Sequence, residues 1–205
     1  NSETLKYWED YGIGQVILSR FKVYPVESFT GISKNGKEFR IQSQVVDPIF
    51  GYKISDACYK MYRPKSGSFK FSWLGIKPHD YVFGLEQLPR KGDQIFITGG
   101  EKDVLTLASQ GFPAISFNSE TATPPKKLME ELQERFNEIN VLYDNDDTGL
   151  KQSKKMMDNF GVNRWILPSH NDGFMGKDVS DFVREGFDLT DDRIKKEGSK
   201  PRLSS

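Results

Sequence analysis

Two different hydrophobic rhythms divide the chain. In the second half, short apolar runs alternate with longer stretches whose apolar positions recur every three to four residues. The runs at 94–98, 114–117, 139–143 and 164–167 predict strands. The stretches 101–110, 124–137, 150–160 and 179–185 predict helices, one closed by Gly111 and another opened by a proline in its first turn. Strict strand–helix alternation implies a mainly parallel sheet with helices on both faces. The first half reads differently. Leu5, Tyr7 and Trp8, then Val16, Ile17, Leu18 and Phe21, predict two short helical pieces interrupted by Gly12 and Gly14. Runs rich in β-formers follow at 23–26, 39–41, 49–52 and 58–62. Residues 69–73 alternate strictly, and Asn35-Gly36 is a hairpin signal. Together they predict a small, twisted antiparallel sheet. The connector 75–92 holds one helical turn at 84–88. The expected organisation is an α+β subdomain over 1–92, an α/β domain over 93–187 and a charged tail over 188–205 that frays.

Composition narrows the classes. With one cysteine, Cys58, in 205 residues, neither a disulfide framework nor a cysteine-rich zinc site is possible within the chain, which fits a reducing cytoplasm. No apolar stretch approaches the roughly 20 residues of a membrane span, so no membrane partner is expected. The chain starts at Asn1 without a methionine and reads as a piece of something longer. Its zero net charge conceals an asymmetry. Residues 1–92 carry 14 Lys+Arg against 9 Asp+Glu, and residues 93–205 carry 15 against 20, or +5 and −5. A phosphate-bearing partner on one half and a metal on the other suit that division. In the basic half, Lys53, Lys60, Arg63, Lys65 and Lys70 are interleaved with Tyr52, Tyr59, Tyr62, Phe69, Phe71 and Trp73, and Lys53, Lys60, Arg63 and Lys70 are the candidate contacts. Basic groups bind phosphate and aromatic faces stack on bases, so single-stranded nucleic acid is the candidate partner. For most of the aromatics, packing in a half-buried sheet is the favoured reading.

The chemistry concentrates at 141–149, Val-Leu-Tyr-Asp-Asn-Asp-Asp-Thr-Gly, where an apolar strand ends in carboxylates and a helix follows. In an α/β fold this is the ligand-binding edge of the sheet. Two carboxylates at alternate positions of extended backbone point the same way and repel unless a cation lies between them. An acidic turn capping the next helix, with Asp147 as the N-cap, is the plainer alternative for this motif alone. Two further clusters stand at equivalent edges: Gly99-Gly100-Glu101-Lys102-Asp103 after the first strand of the alternation, and Lys177-Asp178-Val179-Ser180-Asp181 after the last. The two histidines, His79 and His170, are far apart in sequence and read as surface residues.

In order and spacing the three clusters resemble the Toprim domain of DnaG-type primases, topoisomerases and some nucleases. The closest likeness is to the primases of phage and mitochondrial primase-helicases, with their E-G-x-x-D, D-x-D-x-x-G and K-D-x-x-[DEN] motifs. Residues 93–186 cover that domain. More loosely, 1–92 resemble the basic subdomain preceding it, through Tyr11-Gly12-Ile13 and Phe83-Gly84-Leu85. The resemblance implies RNA primer synthesis in DNA replication: Mg²⁺ (or Mn²⁺) on Asp103, Asp144, Asp146 and Asp178, ribonucleoside triphosphates as substrate, and a single-stranded DNA template on the basic subdomain. It further implies that Lys102, Lys177 and Ser119 meet phosphate, that Asp144 is catalytic, and that a replicative helicase domain accompanies the activity in the same or another chain. One position departs from the pattern. Aligned on Asp103, the family's leading glutamate falls on Gly99, which offers no carboxylate; Glu101 is the candidate substitute. That departure keeps a catalytically impaired metal- and nucleic-acid-binding module open as a second function, and a Toprim nuclease as a third.

Overall fold

A computed structural model of the chain describes residues 2–198, in two compact units that divide between His79 and Asp80. In the first unit, helices α1 (Ser2–Glu9) and α2 (Gln15–Arg20) precede strands β1 (Val23–Val26), β2 (Ser28–Ile32), β3 (Glu38–Gln42), β4 (Ile49–Ser55), β5 (Cys58–Tyr62) and β6 (Phe71–Gly75). Strands β1, β4, β5 and β6 form an antiparallel sheet in the order β1-β4-β5-β6, while β2 and β3 pair only with each other. The Asn35-Gly36 turn does make a hairpin, with Gly36 at φ 76°, but it joins β3 to a strand at 28–32 that the sequence pattern does not announce.

Register sorts the side chains of this sheet. Phe50 lies opposite Tyr62, and Tyr62 opposite Phe71; Tyr52 lies opposite Lys60, and Lys60 opposite Trp73. These residues share one face, against which Tyr7 and Trp8 of α1 pack ring to ring. The other face buries Ile49 and Met61 with Phe29 of the hairpin, flanked by Val26, Ile41 and Leu74.

The second unit contains β7 (Val82–Phe83), β8 (Gly92–Thr98), α3 (Glu101–Ser109), β9 (Ala114–Phe117), α4 (Lys126–Arg135), β10 (Phe136–Leu142), α5 (Asp147–Phe160), β11 (Asn163–Ile166), α6 (Val179–Arg184) and β12 (Lys195–Glu197). The sheet order is β12-β11-β10-β8-β9-β7. Its four inner strands are parallel and its two edge strands antiparallel. Alternation along β8 sends Ile95 and Ile97 into a core with Met129 and Leu132 of α4 and Met156 of α5. Phe96 points to the opposite face, edge-on to Phe112 and Trp165.

Three expectations change here. The part of the connector from Asp80 onward belongs with the second unit, where β7 pairs with β9. Phe136, expected on the buried stripe of a helix, is the first residue of β10. The tail, expected to fray, supplies β12, whose Lys195, Lys196 and Glu197 pair with Ile166, Trp165 and Arg164. Residues 199–205 lie outside the described residues. No helix among the described residues is long and apolar enough to cross a membrane.

Candidate cation site at the carboxyl edge of the sheet

The chain leaves β8 toward β9 on one side and returns through α4 to β10 on the other. Strands β8 and β10 therefore flank a topological switch point, where the loops at the strand ends diverge and leave a crevice. The acidic clusters gather there. Asp103 sits in the first turn of α3, Asp144 follows the end of β10, and Asp178 is the N-cap of α6, its carboxylate accepting from the Asp181 N–H at 2.7 Å. One carboxylate oxygen from each of the three lies within 4.8 Å of the others.

Each member is held by its own contacts. Asp103 is buried, and its Oδ1 accepts from the Ser180 hydroxyl at 2.6 Å and the Ser180 N–H at 3.3 Å. The Ser180 hydroxyl is 2.9 Å from that of Thr106, tying α3 to α6. Asn145 ties the end of β10 to the loop before α6: its N–H donates to the Lys177 carbonyl at 2.9 Å and its amide to the Pro168 carbonyl at 2.6 Å. Gly149 brings α5 hard against Asp144. A Cβ there would lie 2.7 Å from the Asp144 carbonyl carbon and 2.9 Å from its nitrogen, which gives the glycine of the D-x-D-x-x-G pattern a steric reason.

Electrostatically the cluster is under load. Burial first, then the Asp178 charge, pushes the Asp103 carboxyl well above the ordinary carboxylate range. Asp178 is also raised, chiefly by burial. Two ammonium groups offset part of this: Lys177 Nζ is 3.0 Å from Asp144 Oδ2, and Lys102 Nζ is 3.9 Å from Asp178 Oδ2. The hydrogen bond and charge of Asp144 raise the Lys177 pKa. Three hard oxygen donors on a switch-point edge fit a divalent cation of the Mg²⁺ or Mn²⁺ kind.

Two acidic candidates stand elsewhere. Asp146 is exposed and N-caps α5, accepting from the Gly149 N–H at 2.8 Å, the capping task the sequence offered to Asp147. Glu101 is buried and accepts from the Tyr81 hydroxyl at 2.9 Å, because as the first residue of α3 it faces Tyr81. The carboxylate beside Gly99 is that of Glu120, from the loop after β9. A Cβ on Gly99 would lie 2.7 Å from Glu120 Oε1, 3.1 Å from its Cγ and 3.2 Å from its Cδ. The same Oε1 accepts from the Asp144 N–H at 2.8 Å. Burial, and then the charges of Asp144 and Asp146, push the Glu120 carboxyl up to about 7.

No protein-family model matches the sequence, and no curated protein matches it by sequence. Solved structures do match by fold. A DnaG catalytic core superposes with a TM-score of 0.67 at 14% identity, over 92% of this chain and 70% of that one. A DnaG primase catalytic domain bound to ssDNA gives 0.64 at 15%, over 92% and 71%. The primase fragment of the bacteriophage T7 primase-helicase protein gives 0.56 at 17%, over 88% and 70%.

The fold is that of a DnaG-type primase catalytic core. Within the primase-like first unit, the four basic candidates do not form one patch. Lys60 is only 6% exposed, with Nζ 4.4 Å from the Phe71 ring centre and 5.4 Å from that of Trp73. Lys53 lies opposite Tyr59, one register step from Lys60 and so on the other face, and pairs with Asp56 at 3.0 Å. Arg63 is ion-paired with Asp47, and Lys70 is exposed. Of the aromatics, Tyr52 and Tyr62 are core residues, while Phe69 and Phe71 are 79% and 45% exposed. Ser119 makes a local turn, its hydroxyl 2.9 Å from that of Thr121.

Sequence reasoning gave Glu120, Ser180 and Asn145 no part of their own in the site, although all three lie in or beside its motifs. A signal for Glu120 exists. The register places Thr98 beside Ser116, so the loops that leave β8 and β9 emerge side by side.

Proposed function

We propose that the chain is a template-directed nucleotidyltransferase of the primase type, acting in DNA replication by adding ribonucleotides along single-stranded DNA. The observation that carries the reading is the convergence of Asp103, Asp144 and Asp178 at the switch point of a primase-core fold.

Asp103, Asp144 and Asp178 would hold the divalent cation. When bound, the cation neutralises phosphate oxygens of the nucleoside triphosphate and lowers the pKa of an attacking 3′-hydroxyl. The protein supplies placement. Ser180 fixes the Asp103 carboxylate from two directions, and the α6 N-cap fixes Asp178. Glu120 and Gly149 hold the backbone of Asp144 between them. Lys177, paired with Asp144 and 61% exposed, would meet a phosphate oxygen of the substrate. Lys102, 3.9 Å from Asp178, is the second ammonium beside the cluster. The template would lie on the first unit, where the exposed Phe69 and Phe71 offer stacking surface and Lys70 offers charge.

The experiment is extension of an RNA primer already annealed to a DNA template, with ribonucleotides and Mg²⁺ or Mn²⁺. Extension by the parent and its loss in Asp144→Asn support the reading. Template binding without extension would make the chain a binding module, and degradation of the template would make it a nuclease.

A further inference from the structure

Gly99 and Glu120 are complementary. A side chain at 99 would start in space that the Glu120 carboxylate already fills, and it would strike that carboxylate's oxygen first. Gly99 has no left-handed backbone requirement: its φ lies outside the positive range, so an ordinary residue is conformationally admissible there. What occupies the room of a side chain there is the Glu120 carboxylate. The Glu120 carboxylate is half-buried, is anchored on the Asp144 N–H, and lies beside carboxylates that already repel one another. A carboxylate anchored beside others of its own kind stands where a cation would offset the repulsion.

We propose that Glu120 is the fourth carboxylate of this cation site, reaching the bound ion through water from the space that position 99 leaves open. It lies outside the group of three that approach within 4.8 Å, which is why its part is that of an outer ligand. Its charge supplements the three inner carboxylates, and its hydrogen bond to the Asp144 N–H aims Asp144. The work that a side chain on the β8 loop would do is done from the β9 loop, by Glu120 rather than by Glu101. This rests on the cation-dependent reading above.

The test is calorimetric titration of Mn²⁺ into the full chain without nucleotide or DNA. Glu120→Gln keeps an oxygen for the Asp144 N–H and removes only the charge. Outer groups of this kind typically contribute 10–100-fold to metal affinity, and a loss of that size is expected without any fall in melting temperature. The exchange Gly99→Glu/Glu120→Ala moves the carboxylate to the β8 loop after clearing its space, and should recover most of the lost affinity. Glu120→Gln binding Mn²⁺ as the parent does, or an exchange variant as weak as Glu120→Gln, would overturn the proposal while leaving the three-carboxylate site standing. A parent that binds no Mn²⁺ would remove both.

Discussion

Gly149→Ala adds one methyl group where the structure has no room for it. The new Cβ would stand 2.7 Å from the carbonyl carbon of Asp144, 2.9 Å from its nitrogen and closer still to its carbonyl oxygen. All three are backbone atoms at the end of β10, so no side chain can swing away. Relief requires α5 and the strand end to separate by about 1 Å, a core overpacking that typically costs ~1–3 kcal/mol. The same displacement stretches the bond from the Gly149 N–H to Asp146 Oδ1, now 2.8 Å, and an N-cap contributes about 1 kcal/mol. Against this, alanine is favoured over glycine in a helix by up to about 1 kcal/mol. The net expectation is a loss of ~1–3 kcal/mol in urea unfolding. Mn²⁺ affinity should also fall, because Asp144 moves with the strand end, and a misplacement of about 1 Å can cost a site on the order of 10²-fold. Unchanged or increased stability, as helix propensity alone would give, would refute the close approach and with it this account of the motif's glycine.

Four shorter predictions follow. Asp146→Asn should leave stability within about 0.5 kcal/mol, since asparagine caps as well as aspartate, and should weaken Mn²⁺ binding less than Asp144→Asn in parallel titrations. The Glu120 carboxyl, raised from 4.5 to about 7, binds more protons in the folded state than in the unfolded one. In chelator its stabilisation is complete below pH 4.5 and is lost as pH rises through about 7. Because the group is half-exposed and screened, the loss is ~1–2 kcal/mol, and Glu120→Gln should remove that part of the slope in unfolding measured from pH 4 to 8. Lys60→Ala should destabilise the fold by ~1–2 kcal/mol, since a buried ammonium over two rings is lost, whereas Lys70→Ala should be silent in the same melts. Binding of a single-stranded oligonucleotide should weaken with salt at a log–log slope of roughly −0.7 per phosphate neutralised; Lys70→Ala should make it shallower, and salt-independent binding would refute an electrostatic template surface.

The order of elements was legible because β8, β9 and β10 each carry a short, mainly apolar run that is buried, the form that burial on both faces requires. The 28–32 strand was not, because Ser-Phe-Thr-Gly-Ile carries a single buried side chain, Phe29, and is held by pairing rather than by pattern. β12 was invisible for the same reason: Lys-Lys-Glu is exposed throughout and is a strand only because the edge of β11 is available to it. Of the acidic residues, Asp103, Asp144 and Asp178 could be placed together from strand-end position alone. Asp146 could not be separated from them by spacing, since capping and metal binding use the same residue type at the same offset. Glu120 was hidden furthest. It stands twenty-one positions from Gly99, and only the neighbouring exits of two parallel strands bring the two together.

The most direct measurement of the central claim is a Mn²⁺ titration of the parent chain beside Asp103→Asn, Asp144→Asn and Asp178→Asn, each checked for folding by its melt. Convergence on one ion predicts saturable binding in the parent and a loss of at least tenfold in every one of the three variants, whichever element carries the residue. Parent binding that survives any one of the three substitutions at full affinity would contradict a site shared by α3, the end of β10 and the start of α6.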